Sequence, residues 1–186
     1  MDVDWNETLR EQWEWHWNHQ VRARLDGLTD DEYFWSPVPD AWNVRPRGTS
    51  TAPVQAGGGD HTIDFAMPEP VPPPFTTIAW RLGHVIVGVL AARNAAHFGA
   101  PAASYEEWDY AGTGAGARAQ LEEQLGVWLD GVRGLGSSGL AEPCGDREPF
   151  PELPMAALVL HIHRELIHHL SEVALLRDLY AKGAGR

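Results

Sequence analysis

Apolar residues recur at helical spacing in four long stretches of this chain and at strand spacing almost nowhere. From about Trp5 to Leu28, the residues Leu9, Trp13, Trp17, Val21, Leu25 and Leu28 follow one another at three- and four-residue steps. That is the stripe of an amphipathic helix. Thr29 then stops the first helix and caps a short one from Asp30 to Trp35. A second long stretch runs from about Thr76 to Phe98. A third runs from about Ala117 to Leu135, with Leu121, Leu125, Trp128, Leu129 and Val132 inward. The fourth runs from about Pro154 to Lys182, with a proline at its first turn and Gly183 just past its end. From Ser36 to Pro74 the periodicity fails. Gly57-Gly58-Gly59 and Pro72-Pro73-Pro74 mark a long loop, with room for a small hairpin around His61–Phe65. Loops of this length inside a compact domain are mostly functional or mobile. A second loop, Gly99 to Gly114, carries Tyr105, Trp108 and Tyr110, aromatic residues suited to the mouth of a pocket. The expected fold is all-α: one domain over residues 1–186, a four-helix bundle with a long loop insertion between helices one and two.

Composition narrows the function. The chain has 186 residues, of which 44% are hydrophobic, enough for one full core. A formal net charge of -12 argues against nucleic acid or an anionic membrane as partner. The most apolar window, Ile78 to Phe98, is interrupted by Arg81, His84, Arg93, Asn94 and His97, so it reads as a buried helix and not a membrane span. The single cysteine, Cys144, forms no internal disulfide. With no basic and apolar leader after Met1, a cytoplasmic location is expected. A small-molecule substrate is the expected partner. Exposed tryptophan on a bundle also makes a homodimer plausible.

The chemistry concentrates in the fourth helix. His161-Ile162-His163-Arg164-Glu165-Leu166-Ile167-His168-His169 places four histidines and a carboxylate in an otherwise apolar segment. At about 100° per residue, His169 falls inside the apolar arc and Glu165 on its border one turn before it. His161, His168 and Glu172 lie along the polar edge, and His163 lies off the centre of the buried stripe. A carboxylate and an imidazole entering a core together need a partner, because burying either alone costs several kcal/mol. Helix two supplies one in His84, flanked by apolar residues in Trp80-Arg81-Leu82-Gly83-His84-Val85-Ile86-Val87. Two histidines and a carboxylate form a three-ligand set for zinc, with nickel or ferrous iron as alternatives. The i, i+4 spacing of Glu165 and His169 lets both reach one ion. His168 and His161 are alternative ligands or outer partners. Glu165-x-x-His168 has the spacing of di-iron bundles, but no second copy exists in the chain. The zincin pattern is absent too. His16 and His19 read as rim residues, Arg93 and Asn94 as solvent-facing, and Cys144 as having no basic or imidazole neighbour in sequence.

Three segments carry a family resemblance. Leu28-Thr29-Asp30-Asp31-Glu32 with Trp35-Ser36-Pro37-Val38-Pro39, then Trp80-Arg81-Leu82-Gly83-His84, then His161 through His169 with Leu175-Leu176-Arg177-Asp178-Leu179 resemble the DinB-like superfamily of metal-binding four-helix bundles. That superfamily includes mycothiol-dependent maleylpyruvate isomerases and related thiol S-transferases. The resemblance implies a divalent ion on His84, Glu165 and His169. It leaves the register of His168 and His169 open by one residue. It also implies a low-molecular-weight thiol of the mycothiol type, and transfer or isomerisation of a small electrophile. Hydrolysis by metal-activated water, and a non-catalytic metal-stabilised binding or stress-response bundle, are the alternatives.

Overall fold

A computed structural model of the chain describes residues 3–184. It is mostly helical, with one small antiparallel sheet. Helix α1 (Trp5–His16) begins at Asp4, whose carboxylate accepts the Glu7 N–H at 3.1 Å. The helical path continues through a π-helical turn at Trp17–Val21 and a 3-10 turn at Arg22–Leu25. Short α2 (Asp30–Tyr33) starts under the Thr29 hydroxyl, which accepts from the Glu32 N–H at 3.3 Å. Thr77 caps α3 (Ile78–His84). The same rod runs on as a π-helical stretch, Val85–Ala91, and then as α4 (Ala92–His97). Helix α5 (Gly114–Ala141) leaves helical geometry at Gly136, with φ 57° and ψ -171°. The expected end at Leu135 is therefore a kink, and one more turn follows it. Helix α6 (Met155–Leu179) matches the fourth apolar stretch. The long helices pack mutually: α1 and α6 both lie against α5, and α3 lies against α5 and α6. Trp13, Leu82, Ile86, Leu90, Leu121, Trp128, Ile162 and Leu166 are fully buried between them.

Between residues 36 and 74, where a long loop with room for a small hairpin is expected, the chain forms a three-stranded sheet. Strands β1 (Val44–Pro46), β2 (Val54–Ala56) and β3 (His61–Phe65) form an antiparallel sheet in the order β1-β3-β2. Val44 pairs with Ile63, and Val54 with Phe65. Two of these strands are three residues long, too short to display an alternating pattern. A buried carboxylate organises them instead. Asp64 accepts from the Asn43 N–H at 3.0 Å, from Arg45 Nε at 3.0 Å and from the Ser50 hydroxyl at 2.5 Å. The hairpin region expected at His61–Phe65 is the central strand. Its Ile63 is fully buried in the same core as the helices.

Three further expectations change. Asn94 is fully buried, not solvent-facing, and its Nδ2 donates to the Gln124 carbonyl at 2.9 Å, tying α4 to α5. Arg93 is partly covered; it donates to the Gly88 carbonyl and pairs with Glu148. His163 is buried at 6% exposure between Trp13 and Trp128, at ring separations of 6.1 and 6.4 Å. The helical wheel set it aside because it assumed one buried stripe, whereas α6 packs against both α1 and α5 as well as α3.

Candidate metal centre

His84 ends α3 and begins the π-helical stretch, a local widening of the helix often found at functional positions. Its ring is fixed on two sides. Trp80, one turn earlier, stacks on it with 5.4 Å between centroids and 12° between planes. The Tyr105 hydroxyl lies 2.7 Å from Nδ1. On α6, His169 meets His84 edge-on, with ring centroids 4.8 Å apart and planes at 79°. Glu165 comes from the preceding turn, its Oε2 3.6 Å from His169 Nε2. The opposite nitrogen of His169, Nδ1, lies 3.1 Å from Glu172 Oε2. Glu172 is itself paired with Arg81 of α3. His161 Nδ1 is 3.5 Å from the other Glu165 oxygen and 2.6 Å from Arg164 Nη2.

Burial disfavours the charged form of both core imidazoles. Burial, then His169, Arg93 and Arg81, push His84 down to about 4. Burial also lowers His169, opposed by its hydrogen bond to Glu172 and by the Glu165 carboxylate. Neutral imidazole is the form that ligates a metal. Burial pushes the Tyr105 phenol up to about 12, so it keeps its proton at neutral pH. A cleft of about 290 Å³ opens beside these groups, lined by His84, Gly88, Arg93, Tyr105, His161 and Glu165 among others. A second space of about 370 Å³ shares Arg93 and His161 with it and adds Cys144, Glu148, Phe150 and Leu153.

The family model of the DinB superfamily matches residues 12–173. The chain belongs to the DinB superfamily. No curated protein and no solved structure matches it.

The donor set of this DinB protein fits a borderline divalent ion on chemical grounds. Each core imidazole has one nitrogen held by an outer partner, Tyr105 for His84 and Glu172 for His169, which leaves the other nitrogen available. Metal-bound histidines are supported in this way almost without exception. Among the described residues, however, the trio whose potential ligand atoms all lie within 4.8 Å of one another is His168, His169 and Glu172. His168 is the most exposed of the three, and Glu172 already holds Arg81. His84 and His169 are thus brought together, Glu165 joins them through His169, and His161 touches Glu165 from the far side. His16 lies off this site, beside Trp13, and exposed His19 stacks on Trp15. Cys144 is half-buried near Glu148, and burial and then that carboxylate raise its thiol. Glu172, expected only on the polar edge of the helix, is the residue that the structure adds as a partner of His169. Tyr105, expected at the mouth of a pocket, lines the cleft; its contact with His84 and that of Arg81 with Glu172 have no local signal, because loop and helix meet here only through the tertiary fold.

Proposed function

We propose that the chain is a metal-dependent enzyme in which His84, Glu165 and His169 hold one divalent ion, zinc foremost, inside the four-helix bundle of the DinB superfamily. The sheet of residues 44–65 is the insertion between helices one and two of that bundle. The observation that carries this reading is the meeting of His84 and His169 at 4.8 Å, each with an outer partner, beside the Glu165 carboxylate. A divalent ion there supplies the positive charge that stabilises the deprotonated form of a thiol or of water.

We assign the reaction to transfer or isomerisation that uses an external low-molecular-weight thiol. One feature favours this over hydrolysis. Two adjoining spaces meet at Arg93 and His161, which suits two organic reactants rather than one reactant and water. The chain's own thiol, Cys144, is held protonated by burial and by Glu148 and does not serve as the nucleophile. In this arrangement Tyr105 offers a hydroxyl at the wall of the first space. Arg93, anchored by the Gly88 carbonyl and Glu148, lines both spaces. Phe150 and Leu153 offer apolar surface to the body of an electrophile.

A second arrangement is favoured by one observation, the compact spacing of His168, His169 and Glu172. It would put the ion at the exposed edge of α6, away from the cleft, and would suit a structural role.

The test begins with protein purified without a metal-affinity tag. One equivalent of divalent metal per chain is expected by elemental analysis. The loaded protein should consume a free thiol in the presence of a model electrophile, and His84→Ala should abolish that consumption. Loaded protein that hydrolyses activated esters yet never consumes thiol would move the assignment to hydrolysis. Loaded protein with no turnover of either kind would leave a binding module.

A further inference from the structure

The segment between helices one and two has a physical consequence at His84, and this inference rests on the metal reading above. His84 is bounded by Trp80 on one face and by Tyr105 at Nδ1. Both of these residues are held by strand β3. Trp80 Nε1 donates to the Asp64 carbonyl at 2.8 Å. Phe65 packs edge-on against Trp80 at 5.5 Å and against Tyr105 at 5.0 Å. Asp64 is anchored in turn by Asn43, Arg45 and Ser50. The Tyr105 backbone is tied a second time, since its carbonyl accepts from the Tyr110 hydroxyl at 3.2 Å. The helix makes room for the phenol at one position. A Cβ at Gly88, one turn after His84, would stand 2.0 Å from the Tyr105 oxygen and 3.3 Å from His84 Nδ1.

We propose that Tyr105 is a positioning residue for His84, and that the inserted sheet exists in part to hold it there. The phenol oxygen accepts the Nδ1–H of the imidazole. The proton is thereby kept on Nδ1, and Nε2 remains as the lone pair available to an ion. Phe65 sets the position of Tyr105 and Trp80 together, so the sheet fixes both the tilt and the tautomer of one ligand. The insertion is in this sense part of the metal site without contributing a ligand. Outer partners of this kind are worth 10- to 100-fold in metal affinity when removed.

The experiment uses the full chain and Tyr105→Phe, which keeps the ring between Phe65 and His84 and removes only the hydroxyl. Gly88→Ala is the second variant, because it keeps the hydroxyl and displaces it. Long-range nitrogen–proton NMR of the metal-free proteins reads the tautomer of His84. Chelator competition with zinc reads affinity. The wild type should show His84 protonated on Nδ1, and both variants should shift it toward the Nε2–H form. Zinc affinity should fall about 10- to 100-fold in each, while the melting transition of Tyr105→Phe stays cooperative. An unchanged tautomer in both variants overturns the proposal, whatever the metal result. Zinc affinity unchanged in both variants, with a wild type that does bind zinc, also overturns it. Absence of zinc binding in the wild type strikes the metal reading alone, and the tautomer then decides the role of Tyr105 by itself.

Discussion

At the scale of single residues, imidazole chemistry separates into two environments on one helix. His169 faces carboxylates and another imidazole, whereas His163, six residues earlier, faces indoles. Among the described residues Nε2 of His163 has no hydrogen-bond partner, and burial pushes this group down to about 4. The ordinary value in an unfolded chain is about 6.5. The unfolded state therefore binds more protons than the folded state between those values. Stability that is intact above about pH 6.5 is lost as pH falls toward 4, by at most about 3 kcal/mol from this group. The substitution His163→Phe removes the titrating nitrogen and keeps a ring between Trp13 and Trp128. Denaturant unfolding at a series of pH values should show the variant matching the parent near pH 7.5. It should gain on the parent by about 2 kcal/mol near pH 5. Parallel curves for the two proteins would show that His163 does not titrate in this way.

At the scale of elements, the helices were readable because their stripes are long and their ends are marked by side chains that do cap them. Thr29 caps the short helix where the pattern put it, whereas Gly183 breaks helical geometry within a last turn, Tyr180–Ala184, that runs past the expected end. Helix α5 shows what a pattern cannot state. Its apolar stripe ends at Leu135, yet the chain resumes helix beyond Gly136, whose φ of 57° and ψ of -171° suit glycine alone. An added Cβ at Gly136 would touch nothing within 4 Å among the described residues. The cost of Gly136→Ala is consequently backbone strain without any clash. It should destabilise the protein by about 1–3 kcal/mol in chemical denaturation, and a loss near zero would mean that the kink relaxes. The sheet was legible only at His61–Phe65. Val44-Arg45-Pro46 and Val54-Gln55-Ala56 carry too few residues for periodicity, and their pairing is set by the Asp64 network across distant sequence.

At the scale of the whole molecule, no helix among the described residues is long and apolar enough to cross a membrane. The packing of α3 against α6 brings His84 to His169 across 85 residues of sequence. That convergence was legible in outline, because an imidazole in an apolar stretch of one helix and an acid–imidazole pair on another had to find partners. Tyr105 was legible as a pocket residue but not as the partner of His84, and Arg81 and Arg93 were not legible at all, because nothing local marks a loop tyrosine or a helical arginine as facing this site. The choice between the two candidate ligand sets is the central claim. Zinc titration of the wild type, His84→Ala and His168→Ala, followed by chelator competition, measures it directly. The account predicts one tight equivalent in the wild type and in His168→Ala, and none in His84→Ala. Tight binding retained by His84→Ala and lost by His168→Ala would contradict it and move the ion to the outer edge of α6.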